Sequence, residues 1–172
     1  AFADTLRPDA PATIMRLNDM GLDCVLLSGD RRVVVEGAAR RLGIAAFEAE
    51  CLPGGKVARL EALAREGRKV LMVGDGLNDA PALAAGFASM SPATAADISR
   101  TAADLVFQGA ALMPVAAAIR TARLANRLVR QNFALALIYN LIAVPVALAG
   151  LATPLIAAVA MSSSSLVVTL NA

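Results

Sequence analysis

The chain has 172 residues, 58% of them apolar, with a mean hydropathy of +0.63 and a formal net charge of +2. A soluble core alone does not account for that apolar content, and so small a net charge excludes a strong field for nucleic acid. Histidine is absent, which removes the commonest metal ligand and general base.

No secretory signal opens the chain. Ala1-Phe2-Ala3-Asp4 is not an initiator sequence, so the chain is expected to be cut from a longer one. Residues 24–28 form an apolar run that predicts a buried strand ending in Ser28-Gly29-Asp30, with Cys24 as a small core residue. Residues 32–42 have helical spacing, with Gly43 as the stop. Residues 56–66 predict a second helix closed by Gly67, and residues 69–74 a second buried strand. A short helix at 79–85, a brief strand at 87–90 and a last strand at 104–107 follow. Cys24 and Cys51 form neither a metal-type pair nor a disulfide framework. Strands alternating with helices predict an α/β domain on a parallel sheet. Ligands of such sheets gather at the carboxyl ends of the strands, where Ser28-Gly29-Asp30 and Gly74-Asp75-Gly76 both fall.

Residues 110–130 predict a long helix with Arg120, Arg123, Arg127 and Arg130 along one broad face. Asp, Glu, Lys and Arg are scattered through residues 1–130 and absent from 131–172. That asymmetry divides the chain between two solvents, water first and lipid second. Residues 133–149 form an apolar helix long enough, with its flanks, to cross a hydrocarbon layer of about 30 Å. A turn at 150–154 leads into a second apolar segment at 155–170. Pro145 is tolerable in a lipid-embedded helix with neighbours. The pair predicts a transmembrane hairpin, and the preceding arginines place residues 1–130 on the cytoplasmic side. The expected domains are therefore 1–110, a basic juxtamembrane helix at 111–130 and two membrane helices within 131–172.

The strongest chemical signal is Gly74-Asp75-Gly76-Leu77-Asn78-Asp79-Ala80-Pro81. Two carboxylates four residues apart on a strand-to-helix turn suit a hard cation. The glycines permit a tight turn and close approach of a phosphate. Mg²⁺ held by Asp75 and Asp79, with Asn78 beside them, would sit against a phosphoryl oxygen. The plain alternative is an ordinary Gly/Asp turn. Ser28-Gly29-Asp30 offers a hydroxyl and backbone N–H groups to phosphoryl oxygens, though its composition is also that of a common turn. Lys56, after Pro53-Gly54-Gly55, can neutralise a phosphate or simply be a solvent-exposed first-turn lysine. Phosphoryl transfer through an aspartyl-phosphate needs an activated carboxylate at a strand end; Asp4 is the one early candidate, and it does not follow an apolar strand. In the hairpin, Tyr139 and Asn140 are adjacent, while Met161 and Ser165 share a helix face. A thioether suits Cu(I) better than Zn²⁺ or Mg²⁺. The serines at 162–165 also fit simple helix packing, with hydroxyls satisfied on nearby carbonyls.

Gly74 to Pro81 resembles the hinge motif G-D-G-x-N-D-x-P of the P-type ATPases. Ser28-Gly29-Asp30 resembles their T-G-D motif, with Ser in place of Thr. Lys56 resembles their phosphate-neutralising lysine, and Asp4 to Pro8 their short acidic-basic-proline segment. The resemblance implies a haloacid-dehalogenase-like fold: part of a phosphorylation domain on a Rossmann-like parallel sheet, followed by a two-helix transmembrane hairpin. It implies that Ser28, Asp30, Lys56 and Asn78 serve the phosphate. Asp75 and Asp79 would serve Mg²⁺, and ATP would be the substrate of the intact parent. Tyr139, Asn140, Met161 and Ser165 resemble the Cu(I) positions in the last two spans of the copper-transporting heavy-metal branch. The lysine and aspartate of the zinc branch are absent from these segments. Met161 to Ser165, with Ser28 to Arg31 and the stretch after Met90, resembles pumps that supply copper to cbb3-type oxidases.

The resemblance covers the whole chain, but the D-K-T-G-T phosphorylation motif, nucleotide-binding and actuator domains and C-P-C motif are missing. The expectation is thus the carboxy-terminal part of a Cu(I)-exporting ATPase of the bacterial inner membrane, inactive alone. Ag(I) or another heavy metal is the alternative ion. Its partners would be the bilayer, the rest of the pump, and a copper chaperone or cbb3-oxidase assembly factors, with no nucleic acid. The absent central strand is expected to leave two sheet edges unpaired. A membrane-anchored phosphatase of the same fold and a non-catalytic membrane interaction module are the alternatives.

Overall fold

A computed structural model describes residues 6–171; Asp4 lies outside the described residues. The chain divides into two compact units, with the boundary between Ala117 and Ala118.

In the first unit, α1 (Ala10–Asp19) carries a proline in its first turn, where the missing N–H costs nothing. Then come β1 (Val25–Leu27), α2 (Arg32–Leu42), β2 (Ala46–Glu48), α3 (Pro53–Arg65) and β3 (Leu71–Val73). A 3-10 turn at Leu77–Asp79 leads into α4 (Ala80–Ala85), β4 (Ala88–Pro92), α5 (Asp97–Ala102) and β5 (Leu105–Phe107). Every strand pairing is parallel, as expected when helices form the crossovers. Gly43 ends α2 at φ 69°, a left-handed conformation that carries no Cβ penalty in glycine.

The sheet comes in two pieces, β1-β2 and β3-β4-β5. Among the described residues, β1 pairs only with β2 and β3 only with β4, so each keeps one edge without a backbone partner. Residues 24–28 were expected to be buried, yet Val25 is 38% exposed and Cys24 is half-buried, because one neighbour covers one edge only. Leu60, Met72, Ala82 and Leu83 form the core between α3, β3 and α4.

α6 (Met113–Leu148) is one continuous helix of 36 residues, so the expected juxtamembrane helix and first span are a single element. Its start is capped in the first unit by Asp9, whose Oδ2 accepts from the backbone N–H of Leu112 at 2.6 Å and Met113 at 2.9 Å. A carboxylate there satisfies orphan N–H groups and complements the helix dipole.

In the second unit, Gly150 at φ 74° ends α6. Thr153 Oγ1 caps α7 (Pro154–Asn171) by accepting from Ile156 N at 3.3 Å. Asn171 Nδ2 donates to Asn132 Oδ1 at 2.8 Å, which brings the end of α7 back beside the start of the charge-free part of α6. From Asn132 to Leu148 and from Pro154 to Asn171 each limb is about 25 Å long at 1.5 Å per residue. Both α6 and α7 are long and apolar enough to cross a membrane.

Candidate functional site: a phosphate and cation loop

The loop after β3 is built by steric necessity. Gly74 N extends the ladder to Met90 O at 3.2 Å, and the chain then folds back on itself. A Cβ on Gly74 would lie 2.8 Å from the Asp79 Cβ, and one on Gly76 would lie 3.3 Å from Asp79 Oδ2. No side chain fits at Gly74 unless Asp79 moves.

Asp79 is the hub of this fold-back. Its Oδ2 accepts from Gly76 N at 3.2 Å and its Oδ1 from Lys56 Nζ at 2.6 Å. The two charged side chains are only 10% and 14% exposed. Lys56 is thus a buried partner of Asp79, and the reading of it as a solvent-exposed lysine falls. α3 starts at Pro53, three residues before the sequence-based expectation, so Lys56 lies inside the first turn and points back to the loop.

Asp75 is more open, at 55% side-chain exposure, and pairs with Arg7. Arg7 also donates to Ala110 O. On the other side of the loop, Ser99 is fully buried and donates from Oγ to Gly76 O at 2.6 Å. Ala96 N donates to Asp75 O at 3.4 Å. α5 therefore clamps the loop, a role with no sequence signal, because Asp97–Ala102 reads as an ordinary polar stretch. Asn78 is exposed on the 3-10 turn, with its side chain unbonded among the described residues.

The Ser28–Asp30 loop closes locally. Ser28 Oγ donates to Asp30 Oδ2 at 2.8 Å and accepts from Asp30 N at 3.2 Å. Its backbone rests on the segment leading into α3: Cys51 N donates to Ser28 O and Glu50 N to Asp30 O, both at 2.9 Å. The structure thus joins Lys56 to Asp79 directly, and ties Ser28 and Asp30 to the segment that carries Lys56.

The donor set fits a hard divalent cation. Asp75 presents a half-exposed carboxylate whose charge is met by a surface arginine. Each Asp79 oxygen has a donor already and retains a further lone pair. Asp75 is therefore the more available ligand and Asp79 the more constrained one. Among the described residues, no group of three Asp, Glu, Cys or His side chains gathers at this loop or elsewhere, so the protein's contribution here is the two carboxylates of Asp75 and Asp79.

In the second unit, Tyr139 is partly buried, while Asn140, Met161 and Ser165 are exposed. Asn140 Nδ2 donates to Ala136 O at 3.0 Å, one turn back. Ser163 and Ser164 likewise bond to carbonyls of the preceding turn, the packing behaviour weighed for this run. No hydrogen bond joins the four expected Cu(I) residues among the described residues.

The family model for haloacid dehalogenase-like hydrolases matches residues 1–86. The chain is 57% identical over 171 residues to the nitrogen fixation protein FixI of Rhizobium leguminosarum bv. viciae, covering 99% of this chain and 22% of that protein. It is 42% identical over 172 residues to the copper-exporting P-type ATPase of Bacillus subtilis (strain 168), covering 100% of this chain and 21% of the relative. The chain thus spans about a fifth of the length of these relatives. Among solved structures, a crystal structure of a zinc-transporting PIB-type ATPase superposes with a TM-score of 0.87 at 32% identity, over 97% of this chain and 27% of that one. The catalytic domain CopB-B of a CPx-ATPase matches with a TM-score of 0.55 at 37% identity, over 58% of this chain and 40% of that one.

Proposed function

This chain belongs to the haloacid dehalogenase-like hydrolases and is homologous along its length to part of the heavy-metal P-type ATPases; from that premise we propose that it is a piece of a Cu(I)-exporting pump. In the pump, the γ-phosphoryl group of ATP passes to an aspartate carboxylate oxygen and ADP leaves. Water then cleaves the acyl phosphate, returning the carboxylate and releasing inorganic phosphate. The D-K-T-G-T aspartate is absent from these 172 residues, so the chain alone forms no phosphoenzyme.

The observation that carries this reading is the buried Lys56–Asp79 pair at 2.6 Å, which closes the Gly74–Asp79 turn at the carboxyl end of β3. Lys56 holds a positive charge where a phosphoryl group would need neutralising. The Ser28 hydroxyl and the N–H groups of its loop would orient phosphoryl oxygens, with Asp30 holding the hydroxyl and Asn78 offering a further polar contact. Mg²⁺, when bound at Asp75 with Asp79 beside it, would neutralise charge on the transferring group.

The ion assignment rests on chemistry rather than on overall likeness, since relatives named for copper and for zinc both match. Tyr139, Asn140, Met161 and Ser165 supply neutral and soft donors, and no Asp, Glu, Lys or Arg lies within 131–172. That set favours Cu(I) or its chemical neighbour Ag(I). The run after Met161 supports a pump serving cbb3-type oxidases, with a copper chaperone or oxidase assembly factors as partners. The two apolar helices support a bacterial plasma membrane, the inner one where there are two, and the arginines before them support residues 1–130 on its cytoplasmic face.

The test is phosphoenzyme formation in the full-length pump. Asp75→Asn should raise the Mg²⁺ concentration needed for half-maximal phosphorylation from ATP at least tenfold, an order of magnitude expected for losing a charged ligand. An unchanged Mg²⁺ requirement would remove Asp75 from the site.

A further inference from the structure

The basic face of α6 lies outside the residues assigned above to phosphate, Mg²⁺ and the transported ion. Arg120, Arg123, Arg127 and Arg130 are all exposed. At about 100° per residue they fall within an arc of about 80°. No Asp or Glu occurs anywhere in residues 105–172. Arg123, Asn126, Arg127, Arg130, Gln131 and Ala134 line an open groove of about 400 Å³. The last arginine stands next to Gln131, where the charge-free segment begins.

We propose that Arg127 and Arg130, with Asn126 and Gln131, form a binding site for the anionic phosphodiester headgroup of a membrane phospholipid. The proposal rests on the reading that the second unit spans a bilayer. Position along the helix selects the lipid over a soluble anion. The headgroup layer is only about 5–8 Å deep on each side of the hydrocarbon. At 1.5 Å per residue, Arg127 stands about 5 Å above Arg130 and both lie in that layer, whereas Arg120 stands about 15 Å above Arg130 and so outside it. The guanidinium forks present paired N–H donors to phosphodiester oxygens. The amides of Asn126 and Gln131 add neutral donors for the remaining oxygens or for headgroup hydroxyls. Charge complementarity and direct continuity with the apolar span together identify the occupant.

The experiment uses the full-length pump reconstituted in phosphatidylcholine vesicles, with trace spin-labelled phosphatidylglycerol or phosphatidylcholine. The reading is the relative association of the two lipids at the protein boundary. Each arginine in the layer should contribute about fivefold. Arg127→Gln with Arg130→Gln should bring the ratio to about one, and Arg120→Gln should leave it unchanged. Arg127→Lys with Arg130→Lys keeps the charge and guards against misfolding; it should retain an intermediate selectivity.

Wild-type selectivity in the double glutamine variant would overturn the proposal. An equal loss in Arg120→Gln would also overturn it, because a diffuse field and not a site would be acting. Displacement of the labelled lipid by millimolar inorganic phosphate would identify a soluble-anion site instead. Release of the protein from vesicles by alkaline carbonate would overturn the membrane reading itself, an outcome distinct from the other three.

Discussion

Neutralising Lys56 or Asp79 tests how the loop is held. The pair is at 2.6 Å, with side chains 10% and 14% exposed, so solvent screens it little. Removing one partner leaves an uncompensated charge in that environment, which costs about 3–5 kcal/mol. Asp79→Asn also weakens the acceptor for Gly76 N, the bond that shapes the 3-10 turn. Lys56→Met keeps most of the apolar stem and removes the charge together with the N–H donors that reach Asp79. The double variant has no orphan charge, so it should be less destabilised than the sum of the singles, with a coupling of about 2–3 kcal/mol. Hydrogen exchange of the amides at 74–83 in the full-length protein reads the local opening free energy directly. Each single variant should lose about 3 kcal/mol of protection there and little in β5. Additive effects, or losses below about 1 kcal/mol in both singles, would refute the claim that this pair closes the loop.

Other residues around the loop make separate predictions. Ser99→Ala removes the 2.6 Å bond to Gly76 O and should cost about 1 kcal/mol of local stability. It should raise the Mg²⁺ requirement for phosphorylation while leaving the rate at saturating Mg²⁺ nearly unchanged; a lost maximal rate with an unchanged Mg²⁺ requirement would contradict its positioning role. Gly74→Ala places a Cβ 2.8 Å from that of Asp79, so phosphoenzyme from inorganic phosphate should fall at least tenfold; near-normal levels would show that the loop yields. Cys24 titrates above its ordinary 9.0 because of burial, then because of Asp23. A raised folded value means that its stabilising contribution is present below pH 9 and is lost as pH rises through the folded value. Alkylation of Cys24 near pH 9 should therefore be slower in the folded chain than in the urea-unfolded one, and equal rates would contradict it.

Local signals made much of the fold legible. The span of α2, its glycine stop and the strand before Gly74 follow from apolar spacing and from the one residue type that accepts a left-handed backbone. β2 was not legible, because Ala46-Phe47-Glu48 has no pattern of its own and exists as a strand by pairing with β1. α1 and α5 are short, and α5 is fixed by a tertiary contact, Ser99 to Gly76. The break expected near residue 130 reflects a change of solvent, which backbone hydrogen bonding in a helix does not register; α6 passes through it.

Of the site, the motif named Asp75, Asn78 and Asp79 but not their partners. Arg7 and Asp9 act across about a hundred residues of chain, on Ala110 and on the start of α6, and no local pattern announces such contacts. The hairpin residues were legible as unusual polar and sulfur groups within an apolar run. The hydrogen bonds of Asn140, Ser163 and Ser164 stay within one helix turn, and only Asn171 to Asn132 joins the two helices among the described side-chain bonds.

The most direct test of the central claim is Cu(I) dependence of phosphoenzyme formation in the full-length pump, comparing wild type with Met161→Ala. Cu(I) should stimulate labelling from radioactive ATP in the wild type, and Met161→Ala should lose most of that stimulation while still accepting inorganic phosphate. Stimulation by Zn²⁺ in place of Cu(I), or an undiminished copper response in Met161→Ala, would contradict it.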